Sequence, residues 1–237
     1  MGKKAALATT LSRVTRPLGF RVEPEVSWDG AFKNWIADAR TRKVDPNDLG
    51  DQAWGTDRLR DIGLPEHYAP RLRSDAVIVE LGPGSGRLSR HLVGKCDRLI
   101  LVDRSECVIR WLQRYLAGKG EFDAHVIDGP RFPLAAATAD AAFAHGVVEH
   151  LPTEDLYWYL HEMRRVLKSG GVAAFNFNNL ASSEGALWMS DDYKPLTRTS
   201  FRLHMPETIE RLASLAGFRR VAIFPTDNRT AFAELTV

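Results

Sequence analysis

Residues 76–93 read AVIVELGPGSGRLSRHLV. The apolar run Val77 to Val79 ends in an acid, Glu80; glycines follow at 82, 84 and 86, and helical spacing resumes at Leu88 and Leu92. This pattern predicts a buried strand, a tight glycine turn and a helix start. Glycine tolerates left-handed backbone and puts no side chain between the main chain and a ligand, so amide N–H groups can reach a bound molecule. The turn reads as a cradle for a nucleotide-like ligand. A dinucleotide fingerprint wants glycine at the first, third and sixth places. Here the sixth is Arg87, which weakens that reading.

Working outward toward the C-terminus, strands and helices alternate. A strand over 98–102 ends at Asp103, and Ser105 caps a helix through Val108, Ile109, Leu112 and Leu116 that Gly118 closes. A short strand at 124–127 leads to Asp128-Gly129, and another at 140–144 runs into HGVVEHLP. Thr153 starts a helix with Leu156, Leu160, Met163 and Leu167 on one face, ended by Gly170 and Gly171. A strand at 172–177 precedes an irregular stretch over 178–205 and a helix over 206–216. Two closing strands, 218–224 and 230–237, are joined by a short turn at 226–228. Such alternation predicts a parallel sheet with crossover helices.

Toward the N-terminus the pattern differs. Residues 4–16 have amphipathic helical spacing ended by Pro17, and a second helix follows Asp29, with Phe32, Trp35, Ile36 and Ala39 on one face and Ser27 or Asp29 as its cap. A polar connector over 41–75 carries Trp54 and Tyr68 as isolated anchors. The expected division is an N-terminal helical extension and connector, 1–75, and an α/β domain, 76–237.

The chain has 237 residues and a formal net charge of +2, with acids and bases interspersed, so nothing in the charge balance predicts a nucleic-acid partner. Cys96 and Cys107 lack metal-ligand spacing, and two thiols do not build a disulfide scaffold. No metal is expected. No apolar run approaches the roughly 20 residues that span a bilayer, and Thr9, Thr10, Ser12 and Arg13 break any signal-peptide core. The expectation is a cytoplasmic protein, monomer or homodimer, with no transmembrane segment.

The acid-x-Gly-x-Gly-x-Gly run from Glu80 to Gly86 resembles motif I of the class I (Rossmann-like) S-adenosylmethionine-dependent methyltransferases. Asp103, Asp128-Gly129 and the segment DAAFAHGVVEHLP (residues 140–152) follow in that family's order. The resemblance implies a doubly wound, mostly parallel seven-stranded sheet with helices on both faces, its final hairpin inserted antiparallel. It also implies S-adenosyl-L-methionine as cofactor. Glu80 then orients the loop and the cofactor's amino acid part, and Gly82, Gly84 and Gly86 offer backbone. Asp103, ending a strand about 20 residues past the glycines, accepts from a ribose diol. Asp128 and the Gly129 N–H face the adenine, with Phe132 to Leu134 as an apolar wall; Arg104 either covers the adenine or faces solvent. His145 falls near the cofactor's methionine amino group.

The methyl donor is already electrophilic, so alignment of a nucleophile is the main task. A hydroxyl or protonated amine acceptor also benefits from a base. His145 and His150 are the candidate catalytic residues, His150 having a structural helix-entry role as its alternative. The segment after strand five supplies the acceptor side in the family, here Asn178, Asn179, Trp188, Tyr193 and His204. The expected activity is methyl transfer to a small-molecule acceptor, with oxygen as target. Methylation of a protein, lipid or nucleic acid, or a non-catalytic cofactor-binding partner, are the alternatives.

Overall fold

The nearly continuous apolar run of Val77–Leu81 (β1) is buried inside a seven-stranded sheet of order β3-β2-β1-β4-β5-β7-β6. The computed structural model describes residues 27–46, 63–189, 200–226 and 229–237. The helix expected at 4–16, Trp54 and Tyr193 lie outside the described residues.

The other strands are Arg98–Asp103 (β2), Phe122–Val126 (β3), Ala139–Ala144 (β4), Leu167–Asn178 (β5), Arg220–Pro225 (β6) and Thr230–Thr236 (β7). β1 pairs parallel with β2 and β4, β2 with β3 and β4 with β5. β7 inserts antiparallel between β5 and β6. The strand order reverses between β1 and β4, and ligands of open α/β sheets bind beyond the strand ends at such a reversal.

Side-chain alternation sends β1, β4 and β5 residues to two apolar layers. Val79, Ala142 and Phe175 pack with the helices Thr153–Val166 (α4) and Pro206–Leu215 (α6). Ile78, Phe143 and Ala174 pack with Tyr68 and with the helices Ser89–Leu92 (α2) and Glu106–Tyr115 (α3). Each fully buried Ile, Leu, Val or Phe stabilises the fold by about 1.5–3 kcal/mol. Strands buried on both faces are held chiefly by these layers.

Helix α1, Trp28–Arg42, begins where Ser27 Oγ accepts from Gly30 N at 3.1 Å, and it rests on α3 through Phe32 and Trp111, ring centroids 6.3 Å apart. The described residues just before β1 form a π-turn at Leu64–Tyr68 and a 3-10 turn at Ala69–Arg71.

Three local expectations are corrected. The helix after the glycine turn is shorter than the 85–95 that its apolar spacing predicts: residues 84–88 remain a turn, and the chain leaves α2 through Gly94 at φ +74, where a Cβ would stand 2.7 Å from the Lys119 carbonyl. Gly170 and Gly171 do not end α4. The helix stops at Val166, and β5 runs through the glycines with a register shift, Ala139 opposite Leu167 but Ala141 opposite Val172. The looped-out Lys168 reaches Asp140 at 2.8 Å. Within the stretch expected to be irregular, Ser183–Met189 forms a short helix, α5. Gly185 permits it, because a Cβ there would lie 2.1 Å from the Asn179 carbonyl.

Candidate cofactor and acceptor site

The glycine turn leaves β1 with Gly82 N donating to the Val102 carbonyl, 2.9 Å. Gly82 has φ +65, and a Cβ on it would collide with Val147 Cγ2 at 2.4 Å. Gly84, at φ +54, has open space where its Cβ would be, so a ligand can approach the backbone there. Gly86 lies against Leu112 and Tyr115 of α3. Trp111 Nε1 donates to the Ser85 carbonyl at 3.0 Å, pinning the turn to that helix.

Asp103, at the end of β2, accepts from Ser105 N at 2.7 Å and also receives the Gly84 and Arg104 N–H groups. Its carboxylate therefore ties the glycine turn to the loop after β2. Burial raises its pKa to about 6 against the opposing effect of these donors. Asp29 of α1 approaches from above the same loop, accepting from Ser105 Oγ at 2.5 Å and Cys107 N at 3.2 Å.

Strand alternation puts Glu80, Asn176 and the residue just past β4, His145, on one face of the sheet. Glu80 is 1% exposed. Glu80 Oε2, Ser89 Oγ, His145 Nδ1 and the Tyr68 hydroxyl are buried with no hydrogen-bond partner among the described residues. An unmade hydrogen bond at a buried polar group costs about 1–3 kcal/mol, so this group of atoms is suited to a polar ligand. Burial raises the Glu80 pKa to about 8, reinforced by the neighbouring Asp103 carboxylate. A bound cation would restore its charge. These features fit an elongated molecule with a cationic amino acid end beside Glu80 and a diol beside Asp103.

Other sequence candidates are placed differently. The Asp128 side chain is fully exposed, its nearest ionic partner being Arg104 at 3.9 Å, so neither is yet gathered around a ring. Gly129, at φ +95, accepts at its carbonyl from the Tyr159 hydroxyl, 3.4 Å. Phe132 belongs to the core and not to an adenine wall: it is 2% exposed, and its N–H donates to Glu162 Oε1 at 2.6 Å. His145 is a neutral ring, because burial and the Arg87 guanidinium lower its pKa to about 3. Such a ring does not take up a proton near neutrality, which removes the physical basis for reading His145 as a base.

His150 sits between rings, stacked on Phe201 at 4.9 Å and edge-on to Trp28 at 5.1 Å. Its Nδ1 lies 3.4 Å from the Ser200 carbonyl. Asn178, Asn179 and His204 are buried fasteners. Asn178 Nδ2 donates to the Arg202 carbonyl at 3.3 Å, Asn179 Oδ1 accepts from Ala181 N at 2.9 Å, and His204 Nε2 is 3.3 Å from the Val148 carbonyl. They shape the acceptor side through backbone, not by presenting side chains to it. Trp188 lies 5.7 Å from Phe201, and the Arg229 guanidinium stands 4.7 Å above the Trp188 ring.

Glu149 was legible only as part of a motif. Its Oε2 accepts from Asn176 Nδ2 at 3.4 Å, while Asn176 Oδ1 accepts from Gly146 N at 2.7 Å. Burial raises its pKa to about 7 against the pull of Arg229, Asn176 and Arg87. It is the acid of the group suited to exchange a proton near neutrality. Trp28, Phe201 and Arg229 carry no motif; only the tertiary fold brings them to this edge of the sheet.

Comparison with known proteins bears on what this site holds. A family described as "Methyltransferase domain" matches residues 79–175. The ribosomal RNA small subunit methyltransferase A of Myxococcus xanthus is 29% identical over 126 residues, 49% of this chain and 42% of that protein, so the match spans about two fifths of the relative's length. Among solved structures, the complex between the Haloferax volcanii Trm112 methyltransferase activator and a methyltransferase aligns with TM-score 0.64 at 18% identity, covering 86% of this chain and 96% of that one. A SAM-dependent methyltransferase from Thermotoga maritima aligns with TM-score 0.55 at 19% identity, covering 71% and 85%. At these identities the two structures speak for the fold. Residues 79–175 thus match a methyltransferase-domain family, and the sheet that carries them has the fold of S-adenosylmethionine-dependent methyltransferases.

Proposed function

We propose that this chain transfers a methyl group from S-adenosylmethionine to a small-molecule acceptor, at oxygen. In this reading Asp103 accepts from the ribose diol, Glu80 meets the cationic amino group, and the N–H groups around Gly84 contact the amino acid end. His145, neutral, offers a hydrogen bond there. Arg104, Asp128 and Gly129 attend the adenine. Glu149, not His145, accepts the proton of the acceptor, with His150 as a ring of the pocket wall.

The observation that supports the acceptor class is the half-buried row of Trp28, His150, Phe201 and Trp188 beside Glu149. Rings arranged in this way suit a compact molecule with apolar faces and a few polar groups. The name of the Myxococcus xanthus relative makes an RNA acceptor the second reading; the nearly balanced charge of this chain favours the first.

Calorimetry with the methyl donor and with NAD tests the cofactor assignment, and radiolabelled transfer into fractionated cell extract tests the acceptor. Label in the small-molecule fraction, with donor binding weakened at least tenfold by Asp103→Ala, is expected. Label confined to RNA or protein would replace the small-molecule reading. Unchanged donor affinity in Asp103→Ala would remove that residue from the site.

A further inference from the structure

The aromatic row ends in a cation. Arg229 opens β7's approach, is half-buried, and has no carboxylate partner among the described residues. Its carbonyl, not its guanidinium, is used by the scaffold, accepting from Asn179 N at 2.6 Å. The guanidinium rests on the Trp188 face, and it also acts on Glu149, lowering that acid's proton affinity. A half-buried guanidinium that acts on Glu149 without an ion-pair contact is suited to bind a second carboxylate, since its planar donors match carboxylate geometry. Trp188 is followed in the row by Phe201 at 5.7 Å and His150 at 4.9 Å from Phe201, so the cation adjoins faces on which a flat ring can stack.

We propose that the acceptor is an aromatic hydroxy acid whose ring stacks among Trp188 and Phe201, whose carboxylate pairs with Arg229, and whose hydroxyl faces Glu149. This rests on the reading of the site as methyl transfer to a small molecule. Glu149 takes the hydroxyl proton as the acceptor's oxygen forms its new bond to the methyl carbon and that carbon's bond to sulfur breaks. The products are the methyl ether and neutral S-adenosylhomocysteine, with the proton on Glu149. Arg229 has two effects in this arrangement: it selects an anionic acceptor, and with Asn176 and Arg87 it favours ionised Glu149 against burial.

The test is equilibrium binding to the full chain saturated with S-adenosylhomocysteine, using 4-hydroxybenzoate, phenol and tyramine as anionic, neutral and cationic probes. The anion should bind at least about tenfold more tightly than phenol, as a charge-assisted hydrogen bond implies, with tyramine weakest. Arg229→Gln should erase the preference while leaving phenol and S-adenosylhomocysteine affinities within about twofold, and Trp188→Leu should weaken anion and phenol together. Equal binding of the three probes, a preference for tyramine, or a preference that survives in Arg229→Gln overturns the proposal. If S-adenosylhomocysteine itself fails to bind, the cofactor reading beneath it falls instead, and the two failures are told apart by that first titration.

Discussion

Glu149 and His145 lie four residues apart, and burial moves their proton affinities in opposite directions. Burial disfavours charge, so it raises the acid to about 7 and lowers the imidazole to about 3. Arg87 acts on both, favouring the charged carboxylate and disfavouring the imidazolium. The group able to accept a proton near neutrality is therefore the carboxylate, although histidine has the more suitable affinity in water. In the proposed base role the ionised acid is the active form, so turnover should rise with pH through about 7 and level off above it. Glu149→Gln should lower kcat by about 10²–10⁴-fold, the usual worth of a positioned base, and abolish that limb of the pH profile. Arg229→Gln should move the limb upward, since a cation that favours the carboxylate is lost. A profile unchanged in Glu149→Gln would return the role to His150. Glu149 was visible in the sequence beside His150, but which of the two takes the proton depends on burial and on Arg229, 80 positions away in the chain.

At the scale of elements, α1 joins the site to a part of the chain outside the matched domain. Its first turn supplies Trp28 to the His150 ring and Asp29 to Ser105 and Cys107, so the helix start is fastened to the loop that presents Asp103. The Ser105 hydrogen bond, helped by Cys107, lowers the Asp29 pKa against burial. That contribution to stability is present above the unfolded pKa and lost as pH falls through the folded one. Asp29→Ala should reduce stability by about 1–2 kcal/mol and weaken cofactor binding several-fold, because the Asp103 loop loses its support. Thermal unfolding and donor calorimetry on the variant check both, and full cofactor affinity in the destabilised variant would make α1 a structural brace only. The helix itself was legible: Ser27 caps it and Ile36 and Ala39 face inward, as their spacing predicts. Its docking was not, since the Asp29 to Ser105 contact joins residues 76 positions apart. The same limit explains the other misreadings. Gly170 and Gly171 carry a helix-stop signal, yet they serve a bulge in β5 that only pairing with β4 reveals. Asn178 and Asn179 look like ligand groups at a strand end, yet the backbone of Arg202 and Ala181 uses their amides. The alternation of strands and helices was readable because the central strands β1, β2 and β4 bury apolar runs between two layers.

Across the whole molecule, the ionisable groups divide by the end of the sheet they occupy. Near the N-terminal ends of the central strands, Asp140 accepts from Val77 N at 2.9 Å and Lys168 at 2.8 Å, and these partners, with Arg73, overcome burial to lower its pKa. On α4, Glu162 is lowered likewise: Arg165 and Phe132 N outweigh its burial. At the cofactor end Glu80, Asp103 and Glu149 are raised, to about 8, 6 and 7. The first set stabilises the fold above the unfolded carboxylate range and loses that contribution in acid. The second set has the opposite sign. Its native carboxyls hold protons that the unfolded chain has already released, so stability falls as pH rises from the unfolded values through the folded ones. For Asp103 alone, two pH units at about 1.4 kcal/mol each give roughly 3 kcal/mol before relaxation and water reduce it. The ligand-free protein should therefore melt several degrees lower at about pH 8 than at about pH 5, each kcal/mol being worth about 2–4 °C at this chain length. S-adenosylmethionine carries the cation and the diol that these carboxylates lack, so its stabilising shift should grow over the same interval. Scanning calorimetry with and without the donor measures both. The double variant Glu80→Gln with Asp103→Asn should keep only the part of that pH dependence due to Glu149 and gain little from donor, because the two neutral amides have no proton to lose and no charge to offer. A ligand-free midpoint that rises from pH 5 to 8 would mean that the three acids are already paired in solution, and the site would then have no electrostatic demand for its cofactor.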